Sequence, residues 1–281
     1  MNGSSRVRLA GYSPLRRYAL KLYIFLDPFI SVEEKLLNAT LNVVRQHGVD
    51  LFVDVSRPYA YTMVVEHDGK KILVKVAADA DDVPTGALRD VRLLSEFLGV
   101  PALGVASSAR GRVLREGVVY RRDNVNFVSL ATLAKAFRGS APTFLQIRGR
   151  CYALVDGETL RERREEAGLS LSALSEMLSV SRETVYRYER GEMGVPEESA
   201  AALARFFGSD IFKRIDIFVS VRADSIDKAS RAMGANAYKL EQSHPNGIAY
   251  EDKPVFIVKS EERREKAEEL ADIFGVEVVK R

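Results

Sequence analysis

The sequence predicts a multidomain α/β (α+β) protein in which a small all-α unit stands between a larger and a smaller α/β domain. Three observations carry this. Residues 158–208 show helical periodicity punctuated by hydroxyl caps and glycine stops. Residues 32–138 alternate short apolar strands with amphipathic helices, and residues 211–281 return to that alternation in shortened form. A length of 281 residues leaves room for two or three separate cores. The formal charge of +3 is too small to argue for nucleic acid by itself.

Residues 1–31 read as a basic N-terminal arm carrying Arg6, Arg8, Arg16, Arg17 and Lys21, with residues 1–13 loosely attached. The apolar run Ala19–Ile30 is broken by Lys21, Asp27 and Pro28 and is too short to span a bilayer. It lacks a signal-peptide pattern, so no membrane partner and a cytoplasmic location are expected. The single Cys151 excludes an intrachain disulfide, and with His47, His67 and His244 scattered it leaves neither a metal site nor a cofactor expected.

The first α/β domain opens with an amphipathic helix, Val32–Gln46, stopping near Gly48. Strands are expected at Asp50–Val55, Tyr59–Glu66 and Lys71–Val76, the last two joined by a His-Asp-Gly hairpin turn. A helix Thr85–Leu98 follows, then a strand Val100–Ala106, a hairpin Leu114–Tyr120 about Glu116-Gly117, a strand Val125–Val128 and a helix Leu130–Phe137. The acidic run Asp79–Asp82 reads as a loop capping the next helix. Ser107–Gly111 reads as a loop without phosphate-cradle spacing. Residues 139–157 read as a basic linker: Lys135–Arg150 holds four basic residues and no acid, and Gly139, Ser140, Ala141 and Pro142 break any helix. Arg148 and Arg150 would lie along a phosphate backbone.

The order α-β-β-β-α-β, with GVDLFVDV and KKILVKV as first and third strands, resembles the restriction-endonuclease-like PD-(D/E)xK fold. That resemblance implies an Asp after the first helix and the acid of an ExK as metal ligands, with a Lys assisting water. Asp50 or Asp54 would supply the first carboxylate and Lys75 the amine, but the ExK acid position is Leu73, which cannot ligate magnesium. Glu66 on the neighbouring strand is the one substitute at hand. The domain therefore reads as a catalytically empty scaffold and the protein as no enzyme.

In the central unit a helix over Glu158–Ala167 stops at Gly168. Ser170 caps a second helix with Leu171, Leu174 and Leu178 in one stripe, and Ser181 caps a third. Val185 and Tyr188 turn inward on the third helix, Gly191 ends it, and Pro196 opens a fourth whose Leu203 closes the core with Phe206 or Phe207. Helix, short turn, helix is the arrangement that lays a second helix into a major groove. The signature LRxxRExxGLS, LSxxLxxS, VSxxTVYRYERG resembles the lambda-repressor/Cro-type (Xre) helix-turn-helix family. The resemblance implies a structural pair between Arg164 and Glu189. It also implies base contacts from Arg182, Glu183 and Arg187, and phosphate contacts from Ser181, Tyr186 and Arg190. Leu171 stands where that family often has Gln, and Ser179 where the turn usually has Gly, with strain of about 1 kcal/mol if it is left-handed. The unit carries seven Arg against ten Glu, so positive charge for DNA has to come from elsewhere in the chain.

Residues 211–281 are expected to hold a strand Ile215–Val221, a helix Ser225–Met233 and a shortened copy of the first domain. GANAYKLE matches GVDLFVDV, and NGIAYEDKPVFIVKS matches the first hairpin. The copy places Asn236 and Ile257 at the acid positions, with Lys259 beside them; a ferredoxin-like order is the competing reading. The whole is identified as an archaeal-type transcriptional regulator that binds double-stranded DNA as a homodimer, with transcription machinery as a further partner. A protein-docking co-regulator and, behind it, a metal-dependent nuclease are the alternatives.

Overall fold

The computed structural model describes residues 31–54, 60–221, 237–250 and 252–280. The basic arm, the expected helix Ser225–Met233 and Asn236 lie outside them. Helix α1 (Val32–His47) starts at a capping box in which Ser31 and Glu34 satisfy each other's backbone N–H groups. Strands β1 (Val49–Val53), β2 (Met63–His67) and β3 (Lys70–Asp79) form an antiparallel run. Its hairpin turns at Asp68-Gly69, both with positive φ. Helix α2 (Thr85–Leu98) ends at left-handed Gly99 and crosses over to β4 (Ala102–Ala109), parallel to β3.

Beyond β4 the chain departs from the expected order. The hairpin does not turn at Glu116-Gly117: β5 (Arg112–Val113) folds back on β4 about Arg110-Gly111, and β6 (Val118–Arg122) pairs with β7 (Val125–Val128) about Asp123-Asn124. Ser107 and Ser108 are accordingly strand residues. Asp79 does not cap α2. Its carboxylate accepts from the Ser108 hydroxyl (2.8 Å) and from the N–H groups of Arg110 (3.1 Å) and Gly111 (2.8 Å), so it fixes the β4–β5 turn.

After α3 (Leu130–Ala136), the segment expected to be a linker forms β8 (Phe144–Ile147) and β9 (Arg150–Ala153). Strand β8 runs parallel to β6, and β9 accepts β10 (Val195–Pro196) from the central unit. One ten-stranded sheet, in the order β1-β2-β3-β4-β7-β6-β8-β9-β10 with β5 beside β4, thus runs from the first domain into the helical unit. The basic residues hid these strands because Arg148-Gly149 makes a tight turn with positive φ at both residues, while Leu145 and Ala153 bury their side chains.

The helical unit comprises α4 (Gly157–Glu166), α5 (Leu171–Met177), α6 (Arg182–Glu189) and α7 (Glu197–Phe207), closed by a 3₁₀ turn at Ser209–Ile211. Its core joins Leu160, Leu174, Val185, Tyr188 and Leu203 to Ile211 and Phe212; of the two phenylalanines offered, Phe207 packs inward and Phe206 is exposed.

Ile215–Val221 is not a strand. Ile215 and Ile217 drop into the core under α1 and α3, and only Ser220 bridges to Pro101. The second sheet is β11 (Ala237–Lys239), β12 (Gly247–Tyr250), β13 (Pro254–Val258) and β14 (Glu277–Lys280), with α8 (Glu261–Phe274) between the last two. Its order and senses, antiparallel, antiparallel, then parallel across a helix, are the same as those of β1-β2-β3-β4.

The two α/β parts share a core. Leu240, Ile248, Phe256 and Leu270 pack with Phe52, Val64, Leu73 and Leu94. The buried Asp90 carboxylate of α2 accepts from the N–H groups of Glu241 and Gln242, each at 2.6 Å, and from Arg89. His244 enters the same junction with its Nε2 3.0 Å from Asp54, its ring edge-on to Phe52 and Tyr61. Burial lowers the His244 pKa below the ordinary 6.5; Asp54 and Glu269 oppose this, and Lys266 and Arg263 reinforce it. Because the unfolded chain then binds the proton more readily, stability is full above about pH 6.5 and falls as the pH drops below it. The melting temperature should decline between pH 7.5 and 5 and decline less in His244→Gln; equal slopes would remove His244 from the linkage.

Candidate nucleic-acid interface

The geometry of the helical unit is set by its caps and one buried ion pair. Ser170 accepts from Ala173 N–H at 3.0 Å and Ser181 from Thr184 N–H at 3.1 Å, so each hydroxyl satisfies a donor at the start of its helix. Between α5 and α6, Ser179 is left-handed (φ 54°), the strain expected where the turn lacks Gly. The Arg164 guanidinium, 9% exposed, reaches from α4 to the end of α6: Nε donates to Glu189 Oε1 at 2.5 Å, Nη2 to Oε2 at 3.1 Å, and Nη1 to the Leu169 carbonyl at 2.8 Å. A planar fork meets a carboxylate in two places, fixing both the distance and the angle between the helices. Gly157 makes the approach feasible, because a Cβ there would stand 2.0 Å from the Glu189 carbonyl oxygen.

Helix α6 buries Val185 and Tyr188 and leaves Ser181, Arg182, Glu183, Tyr186, Arg187 and Arg190 in solvent along one face. Arg190 lies over the Tyr186 ring, 5.6 Å from its centroid, and donates to its hydroxyl at 3.2 Å. Glu192, just past the helix, holds Arg190 at 2.6 Å and stands 3.9 Å from Arg187. The sequence reading missed this acid beside two guanidiniums. Arg148 and Arg150 sit at the exposed tip of β8–β9, away from α6 in sequence but joined to its unit through β9–β10.

Residues 33–142 match the PD-(D/E)XK superfamily domain, and residues 157–211 match a helix-turn-helix domain. An HTH-type transcriptional regulatory protein of Pyrobaculum aerophilum, a provisional name, is 48% identical over 245 residues, 87% of this chain and 98% of the relative. The chain belongs to this archaeal HTH-type regulator family. Similarly named proteins of Methanococcus vannielii (27% over 189 residues, 66% of this chain) and Aeropyrum pernix (34% over 162 residues, 57% of this chain) match over 57% and 49% of their own lengths. No solved structure matches the chain.

The nuclease-like face of the regulator is occupied by its own C-terminal part. Leu73, at the ExK acid position, is 0% exposed. Lys71, two residues earlier on β3, donates its ammonium to the Ile273 carbonyl of α8, and Lys266 of α8 lies 5.2 Å from the centre of the Phe52 ring. Asp50 is engaged by Arg45 at 2.6 Å, which with hydrogen bonding lowers its pKa, and Asp54 faces His244. Lys75 is buried, which lowers its pKa, with Glu33 opposing. Among the described residues no group of three His, Cys, Asp or Glu side chains is placed to hold a metal. No helix among them is long and apolar enough to cross a membrane.

Two outcomes follow. Arg164→Ala leaves a buried carboxylate unpaired and should lower the stability of the helical unit by about 3 kcal/mol, with Arg164→Lys recovering less than half, read from urea midpoints. Leu73→Glu should not restore cleavage in magnesium or manganese and should instead lower the melting temperature, because it buries an unpaired acid. Cutting of plasmid DNA by that variant would show the face to be open.

Proposed function

We propose that the chain is a sequence-specific double-stranded DNA-binding regulator that places α6 in the major groove, acts as a homodimer and cleaves nothing. The observation that carries this is the exposed row on α6. Arg182 and Arg187 offer guanidinium forks suited to guanine O6 and N7, and Glu183 offers an acceptor for cytosine N4. Ser181, Tyr186 and Arg190 flank them with groups suited to phosphate, and Arg148 and Arg150 add charge from the sheet. A single helix of eight residues reaches few base pairs, so selective binding calls for two half-sites about one helical turn apart and hence two copies. Transcription machinery is a further partner on this reading. A protein-docking co-regulator would need a salt-independent partner surface; the exposed guanidiniums of α6 favour DNA.

Selection from a random duplex pool should enrich a palindrome that disappears with Arg182→Ala/Arg187→Ala. Glu192→Gln should raise affinity a few-fold without changing the enriched bases, since it releases Arg190 and Arg187 from a competing carboxylate. Absence of any enrichment would defeat the operator reading.

A further inference from the structure

Two hairpins border one open cleft of about 520 Å³, and both turn on the same tripeptide. The β4–β5 turn reads Arg110-Gly111-Arg112 and the β8–β9 turn Arg148-Gly149-Arg150. In each the first Arg is left-handed (φ 52° and 50°) and the Gly follows with φ 69° and 83°. Tight hairpins of this geometry are ordinarily made with Asn or Asp before Gly, as Asp68-Gly69 does in this chain. An arginine held there costs about 1 kcal/mol, twice over. What the arginines add is charge at a rigid tip, and Asp79 anchors one of those tips through two backbone N–H groups.

The cleft between the tips is lined by Arg112, Arg115, Gln146, Arg150 and Tyr152, with Glu197 and Glu198 at the start of α7. Arg112, Arg148 and Arg150 have no ion-pair partner among the described residues, and Arg110 has only a 3.8 Å approach to Asp81. Arg115 is neutralised by Glu197 in a two-pronged pair at 2.7 and 2.9 Å. Glu198 is the remaining acid of the lining and Asp79 and Asp81 stand against the β4–β5 turn, so the five arginines of the lining and tips face four carboxylates, a net of one positive charge. Pro196, on the cleft wall, is six residues from Arg190 at the end of α6. That separation is at most about 20 Å of chain, or roughly six base pairs of duplex.

We propose that this cleft is a second phosphate-binding surface, in which the β4–β5 hairpin of the nuclease-like domain grips the backbone of the same DNA duplex beyond the bases α6 reads. The inference rests on the DNA-binding reading above and adds Arg110, Arg112 and Arg115 to it. The nuclease-like domain then contributes electrostatic affinity and footprint length through its rim, while its covered face does no chemistry. The pair with Glu197 keeps Arg115 in reserve, so removing that acid exposes a further guanidinium.

The test is the salt dependence of duplex affinity for the full chain, measured on the selected operator and on random duplex. Arg110→Gln/Arg112→Gln, at exposed positions, should reduce the log–log salt slope by about 1.8 and affinity at 0.1 M salt on the order of tenfold, equally for both DNAs. Glu197→Gln should change the slope in the opposite direction. Arg190→Ala, acting in the helix-turn-helix, should reduce it by about one. A normal slope in Arg110→Gln/Arg112→Gln beside a reduced one in Arg190→Ala overturns the cleft and leaves the helix-turn-helix reading standing. Wild-type chain that fails to bind either duplex at low salt overturns both. Melting curves matching wild type verify that the variants are folded.

Discussion

The pairing of β9 with β10 is the constraint on which the rest of the arrangement depends. Only two residue pairs are involved, Ala153 with Val195 and Tyr152 with Pro196, yet they continue the large sheet into the helix-turn-helix. Pro196 is tolerated because β10 is an edge strand, where a missing N–H leaves no ladder bond unmade. Gly194 lets the strands close, since a Cβ there would lie 2.9 Å from Tyr152 Cβ. The exit is tied as firmly as the entry: Asp156 N–H donates to Ile211 O and Lys213 N–H to Leu154 O, both at 2.7 Å. The helical unit is therefore an extension of the sheet, and the orientation of α6 is inherited from the strands.

Much of the local structure was legible because it rests on local chemistry. Ser170 and Ser181 announced helix starts by what their hydroxyls could accept, and Gly168 and Gly191 announced stops by a conformation that side chains resist. The Arg164–Glu189 pair followed from a family resemblance and stands where it was expected. What failed was strand pairing. Residues 144–153 looked like a connector because four-residue strands give little periodicity and Arg-Gly is not the usual turn signal. Conversely, Ile215 and Ile217 alternate like a strand but serve as plugs, since nothing in a short stretch tells edge pairing from burial against a neighbouring sheet.

The candidate interface was half legible. The exposed row on α6 could be counted from helical spacing, whereas Glu192 and the two arginine-tipped turns depend on where separate segments meet. The fate of the nuclease-like face was invisible for the same reason. A leucine at the acid position showed that the site was incomplete; only the fold shows that α8 and the segment around His244 sit over it. The repeated strand order of the two sheets makes this cover resemble the domain it covers.

That shared core has a consequence for synthesis. Phe52, Val64 and Leu73 find their partners Phe256 and Leu270 about two hundred residues later in the chain. While those residues are still being added, the first domain presents an unfinished apolar face beside a sheet. Nascent chains of this kind are the ones that chaperones hold and that stick to one another. The core of the helix-turn-helix draws on residues 144–212 and can close before the strands and helix of residues 237–280 are made.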